Sequence, residues 1–216
     1  MKTFADTADL AEIKHLSRTG LLDGVTTNPT LIARAGGDFK QTIAAICEAT
    51  ATPVSAEVGA SDYNGMVSQG ETLAGLAPNV VVKLPITTDG LRACSFFDTE
   101  GIATNLTLCF SLSQALLAAR SGATYVSPFV GRLEDRGEDG IELLRRIRVA
   151  FDTYGYTTQI LAASIRSVDQ VEAAACAGAD VVTAPASVLT ALLDHPLTSA
   201  GLQAFENDWR SSGQMI

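Results

Sequence analysis

A lysine and a glutamate each end a short apolar segment of the chain, in VVVK (residues 80–83) and VSAE (residues 54–57). Charged side chains in such positions are seldom buried without a partner or a function. Burial and nearby cations favour the neutral amine of a lysine, which can attack a carbonyl and form an imine. Lys83 could therefore support cleavage of a carbon–carbon bond next to the imine, which needs no metal or other cofactor. A plain ion pair between Lys83 and Glu57 is the alternative.

Alternation along the apolar segments places further polar residues on the same face as these two. Polar and apolar positions alternate in residues 54–58, and Asn105 and Thr107 alternate in the same way with Leu106 and Leu108, which we expect to point to the opposite face. Imine chemistry needs groups that move protons, and Asp6, Glu57 and Thr107 are the candidates. The same alternation groups Phe4 with Asp6, Val81 with Lys83, Ser127 with Phe129, and Gly24 and Thr26 with Asn28.

Eight short β-branched segments alternate with longer segments of helical period, a pattern typical of parallel sheets built from strand–helix units. Several helical segments end at a glycine before the next strand, as at Gly101, Gly122 and Gly178. The pattern predicts an α/β fold, a single-domain (β/α)8 barrel over residues 1–216, with an extra C-terminal helix at residues 197–211. The predicted strands are residues 3–6, 24–27, 54–58, 80–84, 103–108, 124–129, 159–163 and 181–183.

A doubly wound open sheet is the competing fold, and it is disfavoured because the first turn, DTADL, contains no GxGxxG motif. The outer face of a barrel is covered by helices, and polar side chains there would be buried without partners. The polar face of these strands must therefore line the interior of the barrel, near the carboxyl ends of the strands. Barrel enzymes keep their active sites at those ends. The sequence therefore predicts an active site that gathers the polar residues named above.

Several of these residues have simpler interpretations. Asn28 precedes Pro29 and could cap a helix, and Asp6 could cap the first helix. Phe129 could pack in the core. Ser164 and Arg166 lie beside a helix start and could be solvated. Arg132 and Arg166 at neighbouring strand ends suit a phosphate group, which a guanidinium binds through paired hydrogen bonds, so we expect a sugar-phosphate pocket.

Composition excludes several other classes of function. The chain has 216 residues, of which 15 are lysine or arginine and 24 are acidic, giving a net charge of −9 that disfavours binding to nucleic acid or to anionic lipid. The sequence contains four widely spaced cysteines and two histidines, which disfavours both a zinc site and a disulfide framework. No apolar segment is long enough to span a membrane, and Asp6 and Asp9 interrupt any leader peptide, so we expect a cytoplasmic protein.

Seven motifs, in order along the chain, resemble those of the short bacterial and archaeal transaldolases. The most specific are DGVTTNPTLIA at residues 23–33 and VVVKLPITTDGL at residues 80–91, which is similar to the segment around that family's Schiff-base lysine. The others are FADTA at 4–8, SAEV at 55–58, NLTLCFS at 105–111, SPFVGR at 127–132 and AASIR at 162–166. The resemblance covers essentially the whole chain.

The resemblance implies a role for each candidate residue. Lys83 would form the Schiff base with a ketose phosphate, Asp6 would take the proton of the C4 hydroxyl, and Glu57 and Thr107 would hold the water used in dehydration and hydrolysis. The dihydroxyacetone unit would be bound by Asn28, Asn105 and Ser127, and the phosphate by Arg132, Ser164 and Arg166. The implied reaction is transfer of dihydroxyacetone from sedoheptulose 7-phosphate to glyceraldehyde 3-phosphate.

Fructose-6-phosphate aldolase is the related alternative, and a non-catalytic sugar-phosphate binder is a further one. The aldolase resembles this pattern with glutamine in place of Glu57, an apolar residue in place of Asn105 and tyrosine in place of Phe129.

Arg136 lies in a loop rich in acidic and basic residues and is an alternative to Arg132 as the residue that binds phosphate. The resemblance also implies a homo-oligomer of pentamers or decamers, with the C-terminal helix, which carries Leu202, Phe205 and Trp209, exchanged between subunits; packing on its own barrel is the alternative.

Overall fold

A computed structural model of the chain describes residues 1–214, which form eight strands and eleven helices; residues 215 and 216 of the predicted domain lie outside this range. The strands are β1 (Lys2–Asp6), β2 (Gly24–Thr26), β3 (Val54–Glu57), β4 (Val80–Pro85), β5 (Thr104–Cys109), β6 (Tyr125–Pro128), β7 (Gln159–Ala162) and β8 (Val181–Ala184). The helices are α1 (Leu10–Thr19), α2 (Pro29–Ala35), α3 (Phe39–Ala49), α4 (Tyr63–Ala74), α5 (Thr88–Thr99), α6 (Leu112–Arg120), α7 (Val130–Glu134), α8 (Gly140–Tyr154), α9 (Val168–Cys176), α10 (Ala186–Ala191) and α11 (Pro196–Ser212).

The eight strands pair in parallel and in chain order, and β8 pairs with β1, so the sheet closes into a barrel. This confirms the predicted (β/α)8 barrel, and each strand begins and ends within one residue of the position expected from the sequence. The register sets the neighbours at the top of the barrel. Glu57 lies beside Lys83, and Lys83 lies beside Asn105.

The barrel interior is apolar below its polar upper layer. Phe4, Val81 and Tyr125 form part of a buried cluster, each two residues before a polar residue of the upper layer on the same strand. The Phe4 and Tyr125 rings meet edge to face with centroids 5.8 Å apart. This plug fills the lower barrel in the layered manner of the fold and leaves the polar residues above it at the carboxyl ends of the strands.

The helix termini follow local signals in the sequence. Asp9 accepts hydrogen bonds from the backbone N–H groups of Ala11 and Glu12 and caps α1, so the interpretation of Asp6 as that cap is wrong. Ser167 caps α9 by accepting from the Gln170 N–H. The three glycines expected to reverse the chain after helices, Gly101, Gly122 and Gly178, have φ of 69°, 79° and 84°.

The end of β5 differs from simple alternation. Leu106 is buried, but Leu108 is 36% exposed with φ of 60°, so the expectation that it shares the buried face of Leu106 is wrong. The register between β5 and β6 shifts between Leu106 and Cys109. An inserted residue of this kind leaves the ladder and turns outward, while its neighbours stay paired.

The C-terminal helix lies at the predicted place but does not join the core. None of the residues described in α11 is buried, and Leu202, Phe205 and Trp209 are all exposed. The alternative in which this helix packs on its own barrel is therefore wrong for the isolated chain. Within residues 1–214, no helix is both long and apolar enough to cross a bilayer.

Gly24 provides a test of interior packing. A Cβ atom added at Gly24 would lie 2.5 Å from ring carbons of Phe4, whereas one added at Gly201 in α11 would meet no atom within 4 Å. We expect Gly24→Ala to lower the free energy of unfolding by about 1–3 kcal/mol through overpacking. Gly201→Ala should be neutral or raise it by up to about 1 kcal/mol through helix propensity. Urea unfolding of both variants measures the difference, and equal stability of the two would contradict the packing described.

Candidate active site

A cavity of about 110 Å³ opens at the carboxyl ends of the strands, and we call it the barrel cavity. It brings together nine of the eleven residues predicted from the sequence and adds three others. Its lining consists of Asp6, Thr26, Asn28, Lys83, Asn105, Thr107, Ser127, Phe129, Arg132, Ala163, Ser164 and Thr183. Of the predicted set, Glu57 and Arg166 do not line it.

Lys83 is held by two oxygen atoms at the bottom of the polar layer. Its Nζ lies 3.0 Å from Glu57 Oε2 and donates to the Thr27 carbonyl oxygen at 3.0 Å. Lys83 is only 6% exposed. The ion pair left open by the sequence is therefore present, and it places a carboxylate where it can take a proton from the amine or return one.

Glu57 contacts Lys83 on one side and borders a second cavity on the other. Its side chain is 18% exposed, and it borders a separate, outer cavity of about 490 Å³ that also contains Lys40 and Gln69. Gln69 Oε1 accepts hydrogen bonds from the backbone N–H groups of Gly59 and Ala60, which fixes the loop after β3. The Glu57–Lys83 pair is thus the partition between the two cavities.

Asn105 is fixed by hydroxyl groups on the two sides of its amide. Ser127 Oγ donates to Asn105 Oδ1 at 2.7 Å, and Asn105 Nδ2 donates to Ser55 Oγ at 3.2 Å. All three residues are buried. Because these bonds use one of the two Nδ2 hydrogens, the other remains for a ligand in the cavity.

Thr107 carries a buried hydroxyl that makes no hydrogen bond to any residue in the described part of the chain. An unpartnered buried hydroxyl lowers stability, and one that lies beside a cavity is typical of a group that binds ligand or water. The outward turn at Leu108 lies immediately after it. The site therefore presents one free hydroxyl on β5, next to the Lys83 strand.

Asp6 is the carboxylate inside the barrel cavity. Burial raises the pKa of Asp6, while the hydrogen bond from Thr26 and the charge of Lys83 lower it and the charge of Glu57 raises it. Thr26 Oγ1 donates to Asp6 Oδ1 at 2.9 Å. Asp6 is therefore a carboxylate whose environment favours its protonation more than water would, as suits a group that accepts a proton and returns it.

Asn28 has both of the roles that its sequence context allows. Its Oδ1 accepts a hydrogen bond from the Leu31 N–H at 3.0 Å and caps α2, with Pro29 in the first turn. The same residue lines the barrel cavity. Since the cap uses the oxygen, the amide nitrogen is the atom available to a ligand.

The two arginines predicted to bind phosphate, Arg132 and Arg166, have different contacts. Arg132 lines the barrel cavity, and its guanidinium lies 4.9 Å from the centroid of the Phe129 ring. Arg166 instead binds both carboxylate oxygens of Asp135, at 2.5 and 2.6 Å, and this guanidinium lowers the pKa of Asp135. Arg136 is largely exposed beside Glu138, which places the competitor considered from the sequence outside the cavity.

Close packing brings the Arg166 segment against the helix of Arg132. A Cβ atom at Gly131 would lie 2.2 Å from the Ser164 carbonyl oxygen and 3.0 Å from Arg166 Nε. Ser164 itself has φ of 59°, a conformation that is strained for serine. The phosphate residues proposed from the sequence are therefore neighbours, although only Arg132 and Ser164 line the cavity.

The cavity is also lined by three residues outside the predicted set, Thr26, Ala163 and Thr183. Alternation had placed Thr26 on the inner face, whereas Thr183 is a threonine at the end of β8 with no local motif to distinguish it. Among residues 1–214, no group of three or more His, Cys, Asp or Glu side chains is placed to hold a metal ion.

The raised pKa of Asp6 predicts a dependence of stability on pH. A carboxyl with a higher pKa in the folded state stabilises the fold below its unfolded pKa, and that contribution is lost as pH rises through the folded pKa. Asparagine resembles the protonated acid, so we expect Asp6→Asn to unfold at a higher temperature than the wild type at pH 7. The difference should shrink as pH falls to about 4, near the ordinary pKa of aspartate.

Asp9→Asn is the matched control for this experiment, because asparagine also caps helices well and Asp9 is exposed. Its unfolding temperature should stay close to that of the wild type at both pH values. Calorimetry at pH 4 and pH 7 measures both variants. A lower unfolding temperature for Asp6→Asn at pH 7 would contradict the electrostatics described here.

Comparison with known proteins places the chain in one family. The family model described as Transaldolase/Fructose-6-phosphate aldolase matches residues 3–216. Proteins named probable transaldolase from Caulobacter sp. (strain K31) and Rhizobium meliloti (strain 1021) are 56% and 54% identical over 216 residues, covering all of both chains. A thiamine phosphate pyrophosphorylase structure from Pyrococcus furiosus shares the fold, with a TM-score of 0.60, 16% identity and 87% of each chain covered. The chain therefore belongs to the transaldolase/fructose-6-phosphate aldolase family and is an enzyme of the transaldolase and aldolase kind.

Proposed function

We propose that the enzyme is a transaldolase that transfers a dihydroxyacetone unit from sedoheptulose 7-phosphate to glyceraldehyde 3-phosphate, giving erythrose 4-phosphate and fructose 6-phosphate. The proposal places it in the non-oxidative pentose phosphate pathway of the cytoplasm. The observation that carries it is the buried Lys83 amine, which borders the barrel cavity with a carboxylate at 3.0 Å. Family membership and the names of the relatives support the reaction type.

The first step forms the Schiff base. Glu57 takes a proton from the Lys83 ammonium, and the neutral amine attacks C2 of the ketose to give a carbinolamine. Return of a proton to the C2 hydroxyl expels water and leaves an iminium. The unpartnered hydroxyl of Thr107 and the Glu57 carboxylate are the groups we propose to hold that water, and the same water hydrolyses the imine at the end of the cycle.

The second step breaks the C3–C4 bond. The Asp6 carboxylate takes the proton of the C4 hydroxyl, C4 becomes an aldehyde, and the bonding electrons flow into the iminium to give an enamine. After the first aldehyde leaves, C3 of the enamine attacks the acceptor aldehyde, and Asp6 returns its proton to the new hydroxyl. The raised pKa of Asp6 suits it to hold the proton between these events.

The size of the barrel cavity supports a three-carbon unit as the part that is retained. About 110 Å³ is small beside the roughly 300–1,000 Å³ of sites that enclose drug-sized ligands. We place the dihydroxyacetone hydroxyls against the free amide hydrogens of Asn28 and Asn105 and the hydroxyl of Ser127. The rest of the sugar must then extend out through the mouth of the cavity.

Arg132 and Ser164 lie at that mouth, and we propose that they receive the phosphate group. Arg166 is bound to Asp135, so we propose that it contacts the phosphate by sharing its guanidinium between the phosphate and that carboxylate. Phosphates are good partners for this exchange because their oxygens match the planar fork of donors that a guanidinium presents.

Fructose-6-phosphate aldolase activity, with release of free dihydroxyacetone, is the second candidate. It needs a proton donor that converts the enamine to a free ketone. Phe129 occupies the cavity wall where the aldolase pattern has tyrosine, and the Phe129 ring packs edge to face on Phe110 and offers no hydroxyl. Together with Glu57 and Asn105, this favours an enamine that persists until an aldehyde arrives.

We also propose that the enzyme is a homo-oligomer assembled through α11. This helix carries Leu202, Phe205 and Trp209, none of which the barrel of its own chain covers. Exposed side chains of this size in one helix are typical of an interface. Whether the ring is a pentamer or a decamer is set by the geometry of that contact.

Reductive trapping tests the mechanism. Incubation with fructose 6-phosphate and borohydride should leave a covalent adduct on Lys83, detected by peptide mass spectrometry, because reduction fixes the imine. Lys83→Arg keeps the charge beside Glu57 but should give no adduct and lower transfer activity by at least about a thousandfold. Lys40→Arg, at a lysine of the outer cavity, is the matched control and should keep both.

A transfer assay with and without the acceptor separates the two candidate activities. The proposal expects fructose 6-phosphate consumption to depend on erythrose 4-phosphate, with little free dihydroxyacetone. Consumption without an acceptor, accompanied by free dihydroxyacetone, would replace transaldolase by the aldolase. An adduct on another side chain, or full activity in Lys83→Arg, would refute the Schiff-base mechanism itself.

Solution mass tests the role of α11. We expect the double variant Phe205→Ser, Trp209→Ser to have a smaller mass than the wild type by light scattering coupled to size exclusion, because it removes the largest exposed apolar groups of the helix. Asp208→Ser, on the same helix, should keep the wild-type mass. A double variant of unchanged mass would show that assembly does not use these side chains.

A further inference from the structure

Two buried threonines connect Asp6 to the last strand of the barrel. Thr26 on β2 lies beside Asp6 in the register, and Thr183 on β8 lies across β1 on the other side, two positions lower. Thr26 Oγ1 donates to Asp6 Oδ1 at 2.9 Å, and the Thr26 and Thr183 hydroxyl oxygens are 2.5 Å apart. Both threonines are buried and both line the barrel cavity.

The direction of these hydrogen bonds follows from counting hydrogens. Each hydroxyl has a single hydrogen, and an ionised carboxylate can only accept. When Asp6 is ionised, the hydrogen of Thr26 is committed to Asp6, so Thr183 must donate to Thr26. Within residues 1–214 the Thr183 hydroxyl has no other hydrogen-bond partner that would compete for its hydrogen. The chain of donation therefore runs from Thr183 through Thr26 to Asp6.

We propose that Thr183 and Thr26 are positioning residues for carbon–carbon bond cleavage, which hold Asp6 Oδ1 so that Oδ2 is directed at the C4 hydroxyl of the sugar. The inference rests on the function proposed above, and it concerns two residues outside the set derived from the sequence. Neither threonine exchanges a proton with the substrate. They act through Asp6, and Thr183 acts through Thr26.

The same bonds affect the basicity of Asp6. The Thr26 hydrogen bond lowers the pKa of Asp6 against the effect of burial, which raises it. A hydroxyl that itself accepts a hydrogen bond is a better donor, so Thr183 strengthens that effect. The charged groups around Asp6 are Lys83 and Arg132, which line the barrel cavity, Glu57, which is paired with Lys83, and Asp9, Glu12 and Arg34, which line a second cavity that Asp6 also borders.

Removal of either hydroxyl should therefore raise the pKa of Asp6. Because the carboxylate is the form that takes the C4 proton, the acid limb of kcat/KM for the donor sugar should move to higher pH. A hydrogen bond to a charged group predicts a shift of about one pH unit for Thr26→Val, and we expect a shift of about half that for Thr183→Val. Activity at the alkaline plateau should fall less than activity near pH 6.

The experiment compares pH profiles of full-length enzyme. Thr26→Val and Thr183→Val keep the β-branched shape and lose the hydroxyl, and Thr183→Ser restores a hydroxyl at the same place. Thr104→Val is the matched control, since Thr104 is a buried strand threonine whose hydroxyl lies 3.3 Å from Cys94 Sγ and does not line the cavity. Circular dichroism reports whether each variant folds.

The proposal expects shifted acid limbs for the two active-site valine variants, a limb restored by Thr183→Ser, and wild-type behaviour for Thr104→Val. Borohydride trapping of fructose 6-phosphate at pH 8 should remain at the wild-type level in Thr183→Val, because imine formation precedes the step that uses Asp6. An unshifted acid limb in folded Thr183→Val, or a serine variant that behaves like valine, would overturn the proposal. Absence of an adduct in the wild type would refute the proposed function, and this inference with it.

Discussion

The buried ion pair between Lys83 and Glu57 is the interaction on which the rest of the site depends. A lone ammonium inside a closed barrel would be costly, and the carboxylate at 3.0 Å together with the Thr27 carbonyl compensates for its lost hydration. That pairing requires β3 and β4 to be neighbours in a register that aligns the two residues. The apolar plug below them keeps water from reaching the pair from beneath.

The other buried polar residues of the cavity also need partners in place of water, and hydroxyl and amide groups provide them. Asn105 is held between Ser55 and Ser127, and Asp6 by the chain from Thr183 through Thr26. Each group is partly satisfied by the protein and partly left free toward the cavity. Burial raises the pKa of Asp6, which makes its ionised form less favourable in the folded state, and such costs are typical of residues placed for function rather than for stability.

The barrel and most of the lining of its cavity could be predicted from the sequence because alternation along short strands is a local signal. Asp6, Lys83, Asn105 and Ser127 all line the cavity as alternation requires. The bulge that exposes Leu108 could not be predicted from the sequence, because it depends on how β5 pairs with β6. The same holds for Thr183, whose partner is 157 residues away, and for the binding of Arg166 to Asp135 across two loops.

Glu57 lies between the barrel cavity and the outer cavity, so substrate and solvent can reach the Lys83–Glu57 pair from different sides. A sugar that fills the mouth of the barrel cavity blocks the direct path from solvent to Lys83, but the outer cavity still reaches the far side of the carboxylate. In the proposed mechanism, Glu57 could therefore exchange protons with solvent through the outer cavity while the enamine stays shielded in the barrel cavity. A barrel with a sealed outer wall would have to open its mouth for every such exchange and would expose the intermediate each time.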